Sequence, residues 1–131
     1  LIAGDGGFQM TQAELAVCKQ ENIKLNIAIM NNGYLGMVRQ WQEFFYEKRY
    51  AGTPILSPDF VKIAEAHGHV GIQVNERSKV EEAIRTARES NNTVLINFNV
   101  RPEDSVYPMV PTGANLDEMI RRPEEETVPE K

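Results

Sequence analysis

The sequence predicts an α/β fold in which helices lie on both faces of a parallel sheet. Short β-prone runs alternate along the chain with helical stretches of about ten to fourteen residues, as in βαβ units. Helix-start signals and turns rich in glycine or asparagine separate these segments. The 131 residues are 41% hydrophobic and 25% charged, which is enough for one domain with one core.

Four strands are predicted from short apolar or alternating runs between turns. The second is the clearest, because its apolar residues end at the turn Asn31-Asn32-Gly33. Gly71 weakens the third strand, and the fourth contains the continuous apolar stretch Val94-Leu95-Ile96. The first strand starts at Leu1 with no preceding cap, so we interpret the fold as truncated at its N-terminus. The predicted strands span residues 1–3, 25–30, 69–74 and 93–100.

Helices are predicted from capping signals and from apolar residues at helical spacing. Capping-box spacing occurs at residues 11–14 and 78–81. Ser57 can cap a further helix that has Pro58 in its first turn and ends at Gly68. Cys18 is expected to pack as a small apolar residue, and His67 and His69 to cap the end of a helix. The predicted helices span residues 12–21, 35–48, 57–68 and 78–90, with a short one near 116–122.

The helical and β periodicity stops after residue 100, so an irregular tail is predicted over residues 101–131. This tail holds eight acidic and four basic side chains, in a chain of net charge −5. The run Glu124-Glu125-Glu126 predicts a solvated, flexible distal end.

The chain has no basic patch, which argues against nucleic acid as a partner. No apolar run approaches the ~18 residues of a membrane span. A single cysteine fits a reducing compartment.

Polar residues follow the first two predicted strands, where the topology brings them together. Asp5 lies in a Gly-Asp-Gly-Gly loop after the first strand, and Asn32 follows the second. The carboxyl ends of neighbouring parallel strands share one edge of a sheet, where ligands bind. The Asp5 carboxylate, the Asn32 carboxamide and the Tyr34 carbonyl offer the hard oxygens that Mg²⁺ prefers, together with phosphate and water.

The same loops offer a seat for a phosphate group. Gly6 and Gly7 lack side chains, so their backbone N–H groups can approach an anion closely. The helix that follows Leu35 presents free N–H groups and the positive end of its dipole. Each motif alone is typical of an ordinary turn, but the two at crossover spacing are more specific for a ligand site.

Several strings resemble acetolactate synthase (acetohydroxyacid synthase), in its large catalytic subunit. The pair of motifs around Asp5 and Asn32 resembles the cofactor motif of thiamine diphosphate enzymes in general. The resemblance extends over the chain to about Ile120. The strings that carry it are Gly4-Asp5-Gly6-Gly7-Phe8-Gln9-Met10-Thr11, Asn31-Asn32-Gly33-Tyr34-Leu35-Gly36-Met37-Val38-Arg39-Gln40-Trp41-Gln42, Tyr46-Glu47-Lys48-Arg49-Tyr50 and Tyr107-Pro108-Met109-Val110-Pro111.

The resemblance implies a thiamine diphosphate-binding fold, with residues 1–100 forming part of its pyrophosphate domain and the tail covering the active site. Asp5 and Asn32 would bind Mg²⁺ through side chains, and Tyr34 through its carbonyl. The residues implied to contact the cofactor, including these metal ligands, are Gly4, Asp5, Gly6, Gly7, Asn32, Tyr34, Gly36 and Met37. Those implied to line the pocket for the second 2-keto acid are Met37, Val38 and Trp41.

Trp41 has a second interpretation that the residues alone favour. Val38, Trp41 and Phe45 recur at helical spacing and fit the buried stripe of an amphipathic helix. In the pocket, a rigid indole can select an ethyl over a methyl substituent, since one methylene is worth about 1–3 kcal/mol. The surrounding Gly-Met-Val-Arg-Gln-Trp string favours the pocket.

The resemblance also implies parts that these residues do not include. The glutamate that activates the cofactor would lie in the N-terminal domain of a partner subunit, and FAD would bind a central domain of the full-length protein. No catalytic side chain is therefore expected in this chain, which would be inactive alone. The implied assembly is a homodimer or homotetramer with its active site at the subunit interface, and with a small regulatory subunit. The implied location is the cytoplasm, or a plastid or mitochondrion in a eukaryote.

Two alternatives remain open from the sequence. One is another thiamine diphosphate-dependent carboligase or decarboxylase such as glyoxylate carboligase, whose smaller acceptor would not need the indole of Trp41. The other is a non-catalytic module that binds a magnesium-nucleotide or magnesium-diphosphate group, since the two polar loops alone fit such a ligand as well.

Overall fold

The computed structural model describes residues 1–123 and contains a four-stranded, fully parallel sheet. The strand order is β1-β2-β4-β3, so β2 and β4 are central. Helices pack on both faces, and the predicted α/β class is confirmed. The strands are β1 Ile2–Gly4, β2 Asn26–Asn31, β3 Val70–Val74 and β4 Val94–Asn99; the helices are α1 Asp5–Gln9, α2 Leu15–Gln20, α3 Gly36–Phe45, α4 Phe60–Ala66 and α5 Val80–Glu89.

Two apolar clusters hold the helices to the sheet, one on each face. On the first face, Phe8 of α1, Leu15 of α2 and Phe60 of α4 pack on the strands, with the rings of Phe8 and Phe60 edge to face at 5.8 Å. On the second face, Ala83 and Ala87 of α5 pack on β3 and β4. Burial in these clusters is the main stabilising contribution to the sheet.

The second face is only partly covered. Beside α5 lies an open groove of about 490 Å³, with apolar side chains from both the sheet and the helix along it. Ile2, Met30, Ile84 and Val100 line this groove and are each at least 36% exposed.

Three of the predicted helix caps are wrong. Thr11 has a ψ of 4°, which is not the extended backbone of a capping residue, and its side chain makes no cap bond. Ser78 lies inside a 3₁₀ turn, Arg77–Lys79, and its hydroxyl donates to Glu76 instead. Ser57 does not cap α4. The cap is Asp59, two residues later, whose side chain accepts from the Lys62 amide. That hydrogen bond lowers the pKa of Asp59 below its usual value.

The expected environments of Cys18 and His67 are confirmed, and that of His69 is not. Cys18 is buried on α2. His67 ends α4, and its Nδ1 donates to the Ile63 carbonyl at 2.9 Å. His69 is buried, and its Nε2 donates to the Leu15 carbonyl of α2, so it joins the turn between α4 and β3 to α2 and its side chain does not cap α4.

Residues 101–123, called the tail segment from here on, are irregular. The predicted helix near 116–122 is a 3₁₀ turn, Leu116–Glu118, with a capping box from Asn115. A bridge between Met109 and Ile120 folds the segment on itself. The predicted solvated end, residues 124–131, lies outside the described residues. Within residues 1–123, no helix combines the length and apolar character needed to cross a membrane.

Gly71 sets the distance between β3 and α4, and we predict that Gly71→Ala destabilises the fold. A Cβ at this position would lie 2.7 Å from the backbone of Val61, so strand and helix would have to separate. Overpacking of this kind costs about 1–3 kcal/mol, measurable as a lower urea midpoint of unfolding. Gly7→Ala is the control, because its Cβ meets nothing within 4 Å on α1 and should be neutral or stabilising. An unchanged midpoint for Gly71→Ala would contradict the close packing.

Candidate functional site

The two polar loops converge at one edge of the sheet. β1 and β2 are neighbouring parallel strands, with Gly4 opposite Met30, so the residues after both strands emerge side by side. The Gly33 amide donates to Asp5 Oδ2 at 2.9 Å, which joins the two loops directly. The predicted convergence of the motifs around Asp5 and Asn32 is confirmed by this bond.

Asp5 is a buried carboxylate whose charge lacks a basic partner among the described residues. It is 2% exposed, and none of the ion pairs within residues 1–123 includes it. Its Oδ2 accepts from Gly33 and from the Ser57 hydroxyl, each at 2.9 Å, whereas Oδ1 accepts no hydrogen bond in this part of the chain. A buried carboxylate held by neutral donors alone is costly, and a bound cation would offset that cost.

The other two predicted metal ligands also have unused acceptor capacity. Asn32 Oδ1 accepts from the Tyr34 amide at 3.0 Å, which leaves one lone pair of the carboxamide oxygen. The Tyr34 carbonyl receives no hydrogen bond from residues 1–123, although the loop around it is fixed on both sides. Each of the three predicted ligands thus retains an oxygen with free acceptor capacity, the type of donor atom that a hard divalent cation such as Mg²⁺ prefers.

The predicted loop at residues 4–7 is in fact the junction of β1 and α1. Gly4 is extended, and the helix begins at Asp5. A side chain on Gly4 or Gly7 would meet nothing within 4 Å, so open space lies above both residues. Gly6 has a different reason to be glycine, because its Cβ would come within 3.1 Å of Leu35 and Ile55. The backbone of Gly4 and Gly7 can therefore approach an anion closely.

The segment after α3 fixes the Asn32 loop from the other side. The Leu35 amide donates to the Thr53 carbonyl at 2.8 Å, and the Ile55 amide donates to the Gly33 carbonyl at 2.9 Å. Gly36, which begins α3, lies against Asn32, since a Cβ there would be 3.1 Å from Asn32 Nδ2. A side chain at Gly36 would therefore require the Asn32 carboxamide to shift slightly.

Ser57 belongs to the site although the sequence pattern predicts only a helix cap. Its hydroxyl lies 2.9 Å from Asp5 Oδ2 and 3.0 Å from Asn31 Oδ1, and donates its one proton to one of them at a time. Ser57 is 52 residues from Asp5 in sequence. No local signal reveals this contact, because it depends on the path of the chain between α3 and α4.

The first part of α3 presents apolar side chains outward and buries polar ones. Met37, Val38 and Trp41 are 55%, 47% and 37% exposed, and Trp41 packs on the ring of Phe45 at 5.1 Å. Arg39 and Gln40 are the buried residues of the helix. Trp41 is thus not a core residue within the described chain, and an exposed apolar wall of this size is typical of a binding surface.

Arg39 is held between two aromatic rings beside the site. Its guanidinium carbon lies 5.3 Å from the Tyr34 ring centroid and 4.7 Å from that of Tyr50, and it pairs with Glu43 at 3.0 Å. Cation–π contacts of a partly desolvated arginine contribute about 1 kcal/mol or more. Arg39 therefore fixes Tyr34, the residue whose carbonyl is a candidate ligand, to α3.

Comparison with known proteins identifies the fold and its relatives. Residues 1–98 match the family model described as thiamine pyrophosphate enzyme, C-terminal TPP binding domain. A solved structure of a Rhodococcus jostii RHA1 thiamine diphosphate-dependent 4-hydroxybenzoylformate decarboxylase superposes with a TM-score of 0.72 at 26% identity, covering 79% of this chain and 20% of that one.

Curated relatives include acetolactate synthases. An acetolactate synthase of Mycobacterium leprae is 48% identical over 124 residues, which are 90% of this chain and 20% of the relative. The isozyme 2 large subunit of Escherichia coli acetolactate synthase is 37% identical over 122 residues, 92% of this chain and 22% of the relative. The chain thus spans about a fifth of the length of these relatives. With three quarters of its length matched by the family model, the chain belongs to the family of C-terminal TPP-binding domains of thiamine pyrophosphate enzymes.

Proposed function

We propose that the chain is the C-terminal part of a thiamine diphosphate- and Mg²⁺-dependent acetolactate synthase. The reaction condenses pyruvate, after its decarboxylation, with a second 2-keto acid, either pyruvate or 2-oxobutyrate, in branched-chain amino acid biosynthesis. The observation that carries the proposal is the buried carboxylate of Asp5, which has a free oxygen and no basic partner within residues 1–123. The names of the curated relatives support the choice of reaction.

The proposed role of the site is to hold the cofactor by its diphosphate. Asp5, Asn32 and the Tyr34 carbonyl supply metal ligands, and the backbone at Gly4, Gly6, Gly7, Gly36 and Met37 lies against the cofactor. When bound, thiamine diphosphate supplies the nucleophilic carbon for decarboxylation and carboligation. The residues of this chain bind and orient the group, and the implied activating glutamate and FAD site belong to other parts of the full-length enzyme.

The proposed acceptor pocket is the outward apolar side of α3. Met37, Val38 and Trp41 form a wall of large side chains, and such a wall discriminates acceptors by contact area. The tail segment contacts Gln40 and Phe44 of the same helix and is proposed to cover the entrance of the active site. A homodimer or homotetramer, a small regulatory subunit, and a location in the cytoplasm or in a plastid or mitochondrion complete the proposal.

Thiamine diphosphate binding is expected to depend on Mg²⁺ and on Asp5. In calorimetry of the full-length enzyme proposed to contain this chain, Asp5→Asn should weaken binding by more than the roughly 10–100-fold typical of losing a group that supports a metal ligand. Asp59→Asn is the control, since that carboxylate is exposed at the start of α4. Tight Mg²⁺-dependent binding of ATP, with none of thiamine diphosphate, would favour the nucleotide-binding alternative and contradict the proposal.

Ser57 is expected to support the metal site by orienting Asp5. Ser57→Ala removes the donor to Asp5 Oδ2 and should reduce the Mg²⁺ affinity of the cofactor complex by about 10–100-fold. The measurement is a Mg²⁺ titration of thiamine diphosphate binding. Ser78→Ala, which removes only an exposed hydroxyl, should leave the affinity unchanged. Equal affinities for the two variants would show that Ser57 does not act on Asp5.

Trp41 is expected to set the preference between acceptors. Trp41→Leu should reduce the selectivity for 2-oxobutyrate over pyruvate by about tenfold or more, because one methylene contact is worth about 1–3 kcal/mol. Competition between the two acceptors, with both products quantified, measures the ratio. Tyr46→Leu removes another exposed aromatic ring just beyond α3 and should keep the ratio. A retained preference in Trp41→Leu would show that the indole does not discriminate between these acceptors. Turnover of glyoxylate in place of both 2-keto acids would favour the glyoxylate-type alternative.

A further inference from the structure

Gln40 is a buried carboxamide that pairs with the backbone of a distant segment. It is 3% exposed. Its Nε2 donates to the Val106 carbonyl at 2.9 Å, and its Oε1 accepts from the Val106 amide at 2.8 Å. Nε2 also lies 3.4 Å from Met109 Sδ. One side chain thus satisfies both polar backbone groups of a residue 66 positions away, as a neighbouring strand would do.

Gln42 makes the same kind of contact with a different segment. Its Nε2 donates to the Ala51 carbonyl at 2.9 Å, and its Oε1 accepts from the Ala51 amide at 3.1 Å. Ala51 lies in the segment that fixes the Asn32 loop. The helix α3 therefore holds two passing segments by paired glutamine contacts, and Gln42 offers a matched comparison for Gln40.

Gln40 lies on the same face of α3 as Met37, one residue of the proposed acceptor pocket. Residues three, four and seven apart share one face of a helix, so Met37, Gln40 and Phe44 lie in one row. Phe44 packs on the Tyr107 ring at 5.5 Å, one residue beyond Val106. The tail segment therefore follows this row, and Met37 is one turn further toward the cofactor loop.

We propose that Gln40 is a positioning residue that fixes the tail segment on α3 and thereby shapes the acceptor pocket beside Met37. This inference rests on the proposed function for its substrate. Its physical basis is the pairing of the buried Gln40 carboxamide with both backbone groups of Val106, because the irregular segment has no sheet ladder to satisfy those groups on this side. Loss of the carboxamide would leave both groups unpaired and allow the segment to move away from the pocket.

The test compares Gln40→Met with Gln42→Met in the full-length enzyme proposed to contain this chain. Methionine keeps the length of the side chain and removes both polar atoms. Hydrogen exchange of backbone amides, read by mass spectrometry, reports the tail segment directly and does not depend on activity. Gln40→Met should accelerate exchange over residues 101–110 by about tenfold, because the two hydrogen bonds that hold the segment on α3 are lost. Gln42→Met should accelerate exchange near Ala51 and leave residues 101–110 unchanged.

The second readout is kinetic. Gln40→Met should raise the KM for the acceptor 2-keto acid severalfold with little change in kcat, whereas a general loss of folded enzyme would lower kcat alone. Unchanged exchange over residues 101–110, equal loosening of that region by Gln42→Met, or a loosened segment with an unchanged KM would each overturn the inference. If the parent enzyme forms no acetolactate at all, the proposed function fails, while the exchange result still decides whether Gln40 holds the segment.

Discussion

The hydrogen bond from the Gly33 amide to the Asp5 carboxylate is the contact on which the candidate site depends. It joins the end of β1 to the end of β2 across the edge of the sheet. Parallel pairing of the two strands brings Asp5 and Gly33 together. Asp5 is also buried, so the groups around its carboxylate determine the energetic cost of its charge. A carboxylate that is 2% exposed needs compensation, and the neutral donors Gly33 and Ser57 supply only part of it.

The helix α3 connects this metal-binding edge with the apolar wall. It starts at Gly36, against the Asn32 carboxamide, and continues with Met37, Val38 and Trp41 on its outward side. Arg39 ties the helix back to Tyr34 through a cation–π contact. A small movement of α3 would therefore displace both the candidate metal ligands and the proposed acceptor pocket.

The parts of this structure that local chemistry determines could be predicted from the sequence. The strands, their parallel arrangement and the convergence of the Asp5 and Asn32 motifs follow from alternation, turn residues and the geometry of βαβ units. The caps at Thr11 and Ser78 were wrong because capping depends on an extended backbone that spacing alone does not guarantee. The roles of Ser57 and Gln40 are tertiary, since each contacts a residue more than 50 positions away, and no short pattern encodes such contacts.

The central claim is that Asp5, Asn32 and Tyr34 bind one divalent ion that holds a diphosphate. The most direct measurement is a crystal structure of the full-length enzyme with Mn²⁺ and thiamine diphosphate, using the anomalous signal to locate the metal. The claim predicts one peak at about 2.0–2.3 Å from Asp5 Oδ1, Asn32 Oδ1 and the Tyr34 carbonyl oxygen, with phosphate oxygens completing the shell. A metal elsewhere, or a diphosphate bound without contact to these oxygens, would contradict it.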